Sequence, residues 1–502
     1  MLHNMFYILV FLSILLPKQL SILDVQKISS KFIDYSSALN NYYTIASIDD
    51  LMIENTPSNM YLVRLNPVGF IIISKDDRSF PILGYSYNNA IDMQNLPKQL
   101  EVILNSYEKG IDYIIDNNII QDRRTSEFLN FNYEENPFLN RNTREVLPLI
   151  TANWNQGGGW NVFCPGNSVV GCVAVAMGQV MNYWQYPTQG YGYSQYYDPE
   201  YGVIAVNFEE HIYNFDNMYD DYPTEDSQLL LFHSGVAVHM NYSPWGSGAS
   251  VCWEGPSAQN ALDESFGYND DITCEVKINY TDENWNLLIQ NQLDRGWPMI
   301  YRGYSDDAGH AWNIDGYQNE FYHCNWGWGG SSNGYFYFDN LNAGGYNFIE
   351  SQAALLNIVP EIFNNPIALF DFDRTDLLIE FYDLSQITSE DEIIFWEWDF
   401  GDGNRSLDSN PIHTYEEYGS YNVSLVVMSE YGLYSELHIE VLDVLNLVGD
   451  FNQDSSVDIL DVVILVDFIL LNENLNLDLY DINIDLQIDV LDIISLIQII
   501  IN

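Results

Sequence analysis

Gly171-Cys172-Val173-Ala174-Val175-Ala176-Met177-Gly178-Gln179-Val180-Met181 is a cysteine at the head of a run of small and apolar residues. The run predicts a buried helix, and a thiol in its first turn sits at the positive end of the helix dipole, where the nucleophilic thiolate is favoured. Alone the stretch is ambiguous, because a cysteine among alanines and valines is more often a small core residue than a nucleophile. Two downstream segments tip the balance. In Gly309-His310-Ala311-Trp312-Asn313-Ile314-Asp315-Gly316 an imidazole stands beside a glycine and leads into a strand-like stretch, so His310 can supply the base that a thiol nucleophile requires. Cys324-Asn325-Trp326-Gly327-Trp328-Gly329-Gly330 offers an amide to hydrogen-bond the imidazole and an indole to shield that bond from water, which is the Cys-His-Asn logic in chain order. Upstream, Asn153-Trp154-Asn155-Gln156 brings a side-chain amide that can form an oxyanion hole with the Cys172 N–H.

The segments 154–156, 171–174, 309–311 and 325–330, in that order, resemble the streptopain family of papain-like cysteine peptidases. So do Asn182-Tyr183-Trp184-Gln185-Tyr186-Pro187 after the nucleophile run, Gly235-Val236-Ala237-Val238-His239-Met240-Asn241-Tyr242, and Ala261-Leu262 with Phe266-Gly267-Tyr268. The resemblance covers residues 147–358. It implies an α+β papain-like domain over 141–360 acting as a cysteine endopeptidase on protein or peptide substrates. Cys172 would be the nucleophile, His310 the general acid/base, Gln156 part of the oxyanion hole, and Asn325 with Trp326 the groups orienting the imidazole, with no cofactor for catalysis. Two rival readings are a catalytically inactive papain-fold binding module and another Cys-His-Asn acyl transferase. Retention of all four site motifs disfavours the first, and the Gly-His-Ala and Asn-Trp-Gly-Trp-Gly-Gly contexts disfavour the second.

Farther upstream, Gly69-Phe70-Ile71-Ile72-Ile73-Ser74, Asp76-Asp77-Arg78 and Pro81-Ile82-Leu83-Gly84-Tyr85-Ser86 resemble the inhibitory propeptide of the same family. An α+β prodomain over 22–140, and so a zymogen, is what that resemblance implies. Within it Leu100, Val102, Ile103, Tyr107, Ile111 and Ile114 recur at helical spacing and predict a helix over 96–115. The polar, Asn-rich stretch 134–142 reads as an exposed linker and a release point. Five cysteines are too few for a disulfide scaffold and odd in number. Cys324 reads as a small buried strand residue, and Cys164, Cys252 and Cys274 can form one disulfide whose pairing the sequence leaves open.

The 502 residues allow three or four domains, and 47% hydrophobic content with 37 Tyr and 12 Trp supplies real cores. Against 71 acidic side chains stand 17 basic ones, a net charge of −54 that repels phosphate backbones and anionic headgroups and excludes nucleic acid as a partner. The apolar run 6–16 is shorter than the roughly 20 residues of a spanning helix and reads as the core of a signal peptide over 1–21, which makes the protein secreted, extracellular or attached to a cell surface.

Past the peptidase, Phe395-Trp396-Glu397-Trp398-Asp399-Phe400-Gly401-Asp402-Gly403 runs a strand into a turn, and 410–415 and 419–427 add a turn and an alternating strand. The pattern over 366–445 resembles a PKD domain, a β-sandwich of the immunoglobulin-like kind, with His413 a structural turn residue. In 449–502 one grammar occurs twice, with Asp450, Asn452, Asp454, Ser456, Asp458 and Asp461, then Asp481, Asn483, Asp485, Gln487, Asp489 and Asp492. Oxygen ligands at loop positions 1, 3, 5, 9 and 12, with a backbone carbonyl at 7, suit Ca²⁺, and each loop leads into an apolar helix, 459–470 and 490–501. The duplication resembles a type I dockerin, a small all-α calcium module. That likeness implies structural Ca²⁺ and a cohesin-type partner facing Ile459-Leu460 and Val490-Leu491. Position 6, usually glycine, is Ser455 in one loop and Leu486 in the other, which predicts strain and weaker binding in the second loop.

Overall fold

The computed structural model describes residues 19–36, 43–130, 145–252, 255–304, 309–339, 350–361, 365–375, 377–387, 391–444, 448–452, 454, 456–471 and 480–501. The signal-peptide core, the linker 134–142 and Ser455 lie outside them. Two compact units divide the chain, Met1–Glu361 and Ile362–Asn502.

The first unit opens with α1 (Ile22–Ser36), β1 (Thr44–Ile53), β2 (Thr56–Asn66), β3 (Phe70–Ser74), β4 (Ile82–Ser86), α2 (Lys98–Asp116) and α3 (Arg123–Asn130). The peptidase region follows with β5 (Glu145–Val146), α4 (Cys172–Trp184), β6 (Tyr193–Asp198), β7 (Gly202–Asn207), α5 (Glu225–Ala237), α6 (Ala258–Phe266) and β8 (Thr273–Val276). It closes with α7 (Asp282–Asp294), β9 (Met299–Tyr304), β10 (Gly309–Gln318), β11 (Phe321–Asn325), β12 (Gly334–Tyr337) and β13 (Glu350–Leu356). Helix α2 forms where its periodicity requires, burying Leu100, Val102, Ile103, Tyr107, Ile111 and Ile114.

Among the described residues, eleven strands join in one sheet in the order β1-β2-β3-β4-β12-β11-β10-β9-β13-β8, with β5 added along β10. Prodomain and peptidase, two blocks in the sequence, are therefore one sheet in space. Their seam is the antiparallel β4–β12 pair, where Tyr85 faces Tyr335 and Gly84 faces Phe336. A single buried cluster runs through both, from Ile71 and Leu83 to Phe321, Phe336 and Tyr337. The Tyr107 hydroxyl crosses the seam, 2.7 Å from the Leu83 carbonyl and 2.7 Å from that of Tyr337. Cys252 and Cys274 form a disulfide, while Cys164, Cys172 and Cys324 are free. Cys324 is a fully buried β11 residue, as its setting predicts.

In the second unit, β14 (Phe370–Thr375), β15 (Leu378–Asp383) and β18 (Ile412–Thr414) form one sheet. β17 (Arg405–Ser406), β16 (Ile393–Asp399), β19 (Gly419–Ser429) and β20 (His438–Val444) form the other. Alternation on β19 buries Val423, Leu425 and Val427 with Phe381 and Trp398, the inward-facing pattern of a sandwich. His413 is structural: its Nε2 lies 2.8 Å from Asp402 Oδ2 and its ring stacks on Phe400 at 4.2 Å. Beyond the sandwich, α8 (Ile459–Leu471) and α9 (Val490–Ile501) pack through Val462, Leu465 and Leu496.

Candidate active site

Cys172 is the first residue of α4, after Gly171, whose φ of +94° turns the chain into the helix. Burial pushes the Cys172 thiol above its ordinary value, and the backbone N–H groups of Ala311, Val173 and Cys172 itself hold it down. The Ala311 N–H belongs to the residue after His310, so β10 brings the histidine segment to the head of the nucleophile helix. The imidazole of His310 is held below its ordinary value by burial and by the positive charge of Lys98, with Glu101 opposing. Both shifts favour the uncharged pair.

The loop partners converge on the same place. Gln156 is tied to the approach of the nucleophile by its carbonyl, which accepts from the Val170 N–H at 2.9 Å. Its neighbour Asn155 pairs as a β-bridge with Trp328 of the Trp-Gly-rich loop. Asn325, 1% exposed at the end of β11, accepts at Oδ1 from Gln179 Nε2 and the Gly327 N–H and donates from Nδ2 to the Ala152 carbonyl. Trp326 is buried against Trp312 and Phe336 and donates its indole N–H to the Ser332 carbonyl at 2.9 Å.

Lys98 and Glu101 come from α2, so the prodomain reaches the site. Gln99, fully buried, makes the link: its Nε2 donates to the carbonyls of Ala311 (3.2 Å) and Trp326 (3.1 Å), and its Oε1 accepts from the Trp328 indole (2.9 Å). One prodomain side chain thus spans the histidine strand and the orienting loop. Sequence reading missed Gln99. The signal available was a polar residue four before Ile103 on the apolar face of α2.

Residues 154–336 match the Peptidase C10 family, residues 19–111 the Spi protease inhibitor family, and residues 365–444 a PKD domain. The chain carries a streptopain-like cysteine peptidase domain. Streptopain of Streptococcus pyogenes is 29% identical over 348 residues, which are 61% of this chain and 82% of that protein. Thiol protease/hemagglutinin PrtT of Porphyromonas gingivalis is 29% identical over 297 residues, 55% of this chain and 33% of its own length. A prointerpain A fragment of Prevotella intermedia superposes with a TM-score of 0.51 at 29% identity, covering 62% of this chain and 98% of that one. This is a cysteine-type endopeptidase made with an inhibitory prodomain, and its substrates are proteins. Among the described residues no helix is long and apolar enough to cross a membrane.

The two acidic loops before α8 and α9 are near copies. Asp461 and Asp492, both fully buried, accept at Oδ1 from two backbone N–H groups (Phe451 and Asn452; Ile482 and Asn483) and at Oδ2 from a third, that of Asp458 or Asp489. Asp450 and Asp481 each accept from the N–H four residues on, and Asn452 and Asn483 from the N–H two residues on. Asp458 and Asp489 each accept from the N–H two residues on, Leu460 or Leu491. Leu486 holds the left-handed turn position at φ +67°, and Ile484 is left-handed too at φ +61°. The donors are hard oxygens, the kind calcium takes, and both left-handed residues belong to the second loop. Among the described residues, no three His, Cys, Asp or Glu side chains cluster closely enough to hold a metal ion.

Proposed function

We propose that Cys172 is the nucleophile and His310 the general acid/base of a secreted endopeptidase. The observation that carries this reading is the packing of β10, which bears His310, on α4, which begins at Cys172: Asn313 Nδ2 donates to the Ala176 carbonyl at 3.2 Å, and the Ala311 N–H is among the groups that hold the Cys172 thiol down. Attack of the thiolate on the scissile carbonyl gives a tetrahedral oxyanion, received by the Cys172 N–H and the Gln156 amide. His310 then protonates the leaving amine, and a water it activates releases the acyl group. Asn325 and Trp326 are the groups that orient the imidazole in this reading. Export is supported by the apolar run 6–16.

The C-terminal repeats are a dockerin-like calcium module in this reading. Asp450, Asn452, Asp454, Asp458 and Asp461, with the Ser456 carbonyl, hold one Ca²⁺. Asp481, Asn483, Asp485, Asp489 and Asp492, with the Gln487 carbonyl, hold the other. Bound calcium would neutralise the mutual repulsion of these carboxylates. A cohesin-type partner meets the apolar pairs Ile459-Leu460 and Val490-Leu491, which are 64%, 54%, 61% and 52% exposed.

Titration of the matured enzyme with an epoxide thiol inhibitor tests the site. One equivalent should abolish casein hydrolysis, with the label on Cys172. Full activity after Cys172 is labelled, or normal hydrolysis by Cys172→Ala, refutes the assignment.

A further inference from the structure

Behind the site six hydrogen bonds converge on three buried amides. Gln179 of α4 donates from Nε2 to Asn325 Oδ1 (3.1 Å) and to the Ala152 carbonyl (2.7 Å), and its Oε1 accepts from Asn313 Nδ2 (3.0 Å). Asn313 of β10 also donates to the Ala176 carbonyl of α4 (3.2 Å). Asn325 donates from Nδ2 to the Ala152 carbonyl (3.0 Å), and its Oδ1 takes a second bond from the Gly327 N–H (3.2 Å). None of the three amides is more than 1% exposed.

These amides sit on the three elements that carry the proposed chemistry. Gln179 lies two turns along α4 from Cys172, Asn313 lies three residues along β10 from His310, and Asn325 opens the Trp-Gly loop. The chain of donors has a fixed direction. Asn313 can only donate to an oxygen on Gln179, which leaves Nε2 to face Asn325, so the Asn325 oxygen must point at Gln179 and its NH₂ away. The Ala152 carbonyl takes an N–H of that NH₂, and Oδ1 receives Gln179 Nε2 and the Gly327 N–H, so the network fixes the Asn325 side chain in one orientation. Among the described residues Asn313 Oδ1 makes no hydrogen bond. An interior position that tolerates an unpaired oxygen is kept for what its nitrogen does, since an apolar residue would fill the space at lower cost.

We propose that Gln179 and Asn313 are positioning residues of the peptidase: they set the polarity of the Asn325 amide and lock the nucleophile helix to the histidine strand. The inference rests on the assignment of Cys172, His310 and Asn325 made above. Gln179→Met keeps the volume and removes the bonds, and Asn313→Ala cuts the chain at its other end.

Both variants of the full chain, matured in trans by wild-type enzyme, are assayed for kcat and KM. The rate of Cys172 alkylation by iodoacetamide is followed from acid to alkaline pH, with the label located by mass. In each variant kcat should fall about tenfold or more with KM within about twofold. The acid shoulder of the alkylation profile, which reports a thiolate paired with imidazolium, should shrink relative to the alkaline limb. A merely structural role would not move that shoulder. An active wild type beside variants with unchanged kcat and unchanged shoulder overturns the positioning role alone. Loss of the native circular dichroism in both variants makes the amides a folding device and also overturns it. A wild type whose hydrolysis survives Cys172 alkylation overturns the site assignment, and this inference with it.

Discussion

Gln99 ties the prodomain helix to the histidine strand and the Trp-Gly loop through three hydrogen bonds, all of which Gln99→Leu removes. At about 1 kcal/mol per bond, Gln99→Leu should cost ~2–3 kcal/mol of prodomain binding. An inhibition constant measured in trans should therefore rise roughly 30- to 150-fold; an unchanged constant would mean Gln99 only fills space. Glu320, in the β10–β11 turn, gives a pH-dependent counterpart. Burial raises its carboxyl from the ordinary 4.5 to about 7, with Arg124 of the prodomain opposing and Asp339 reinforcing. A proton bound more tightly in the folded state stabilises fully below pH 4.5, and that stabilisation is lost as pH rises through 7. The side chain is about a third exposed, so screening reduces the effect to ~1–2 kcal/mol. Glu320→Gln should raise the precursor's melting temperature by about 2–4 °C at pH 8 and leave it unchanged at pH 4.5.

Cys172 and His310 were legible as candidate residues because nucleophile and base chemistry is carried by few residue types. Gln99, Gln179 and Asn313 were not. Each is an amide inside an apolar pattern, and only the fold reveals which carbonyl or amide it meets.

Among the elements, those defined by local periodicity followed the sequence closely. The helix expected over 96–115 is Lys98–Asp116, and the helices after the acidic loops span Ile459–Leu471 and Val490–Ile501. Strand pairing was another matter: β4 and β12 lie some 250 residues apart and carry no local sign of each other, so prodomain and peptidase read as separate blocks. In the second acidic loop the strain predicted at Leu486 is present, and Ile484 adds a second left-handed residue that the sequence reading did not anticipate. Leu486→Gly and Ile484→Gly should each recover ~1–2 kcal/mol, a roughly 5- to 30-fold gain in calcium affinity at that loop. Calorimetric titration of the chain measures it; no calcium heat in the wild type would leave the loops without a metal. Peptide hydrolysis should be indifferent to chelator, since the site's proposed groups need no metal.

At the scale of the molecule, the peptidase lends the prodomain a strand edge and receives one in return. Gly84 is a pinch point of that seam, because a Cβ there would stand 2.6 Å from the Phe336 ring. Gly84→Val should prise β4 from β12 and leave a prodomain that inhibits at least tenfold less well in trans, about 1.4 kcal/mol; equal inhibition would show that the strand pair contributes nothing to latency.

A shared sheet also makes activation a matter of dilution. While the linker is intact, the two halves meet at the millimolar effective concentration of a tethered pair. One cut removes the tether and leaves every seam contact in place, so the severed prodomain stays on until its concentration falls below the dissociation constant. Cleaved enzyme held at high concentration should therefore remain quiet and awaken with a lag when diluted, the lag shortening for Gln99→Leu and Gly84→Val. Such an enzyme would gain its activity with distance from the cell that made it.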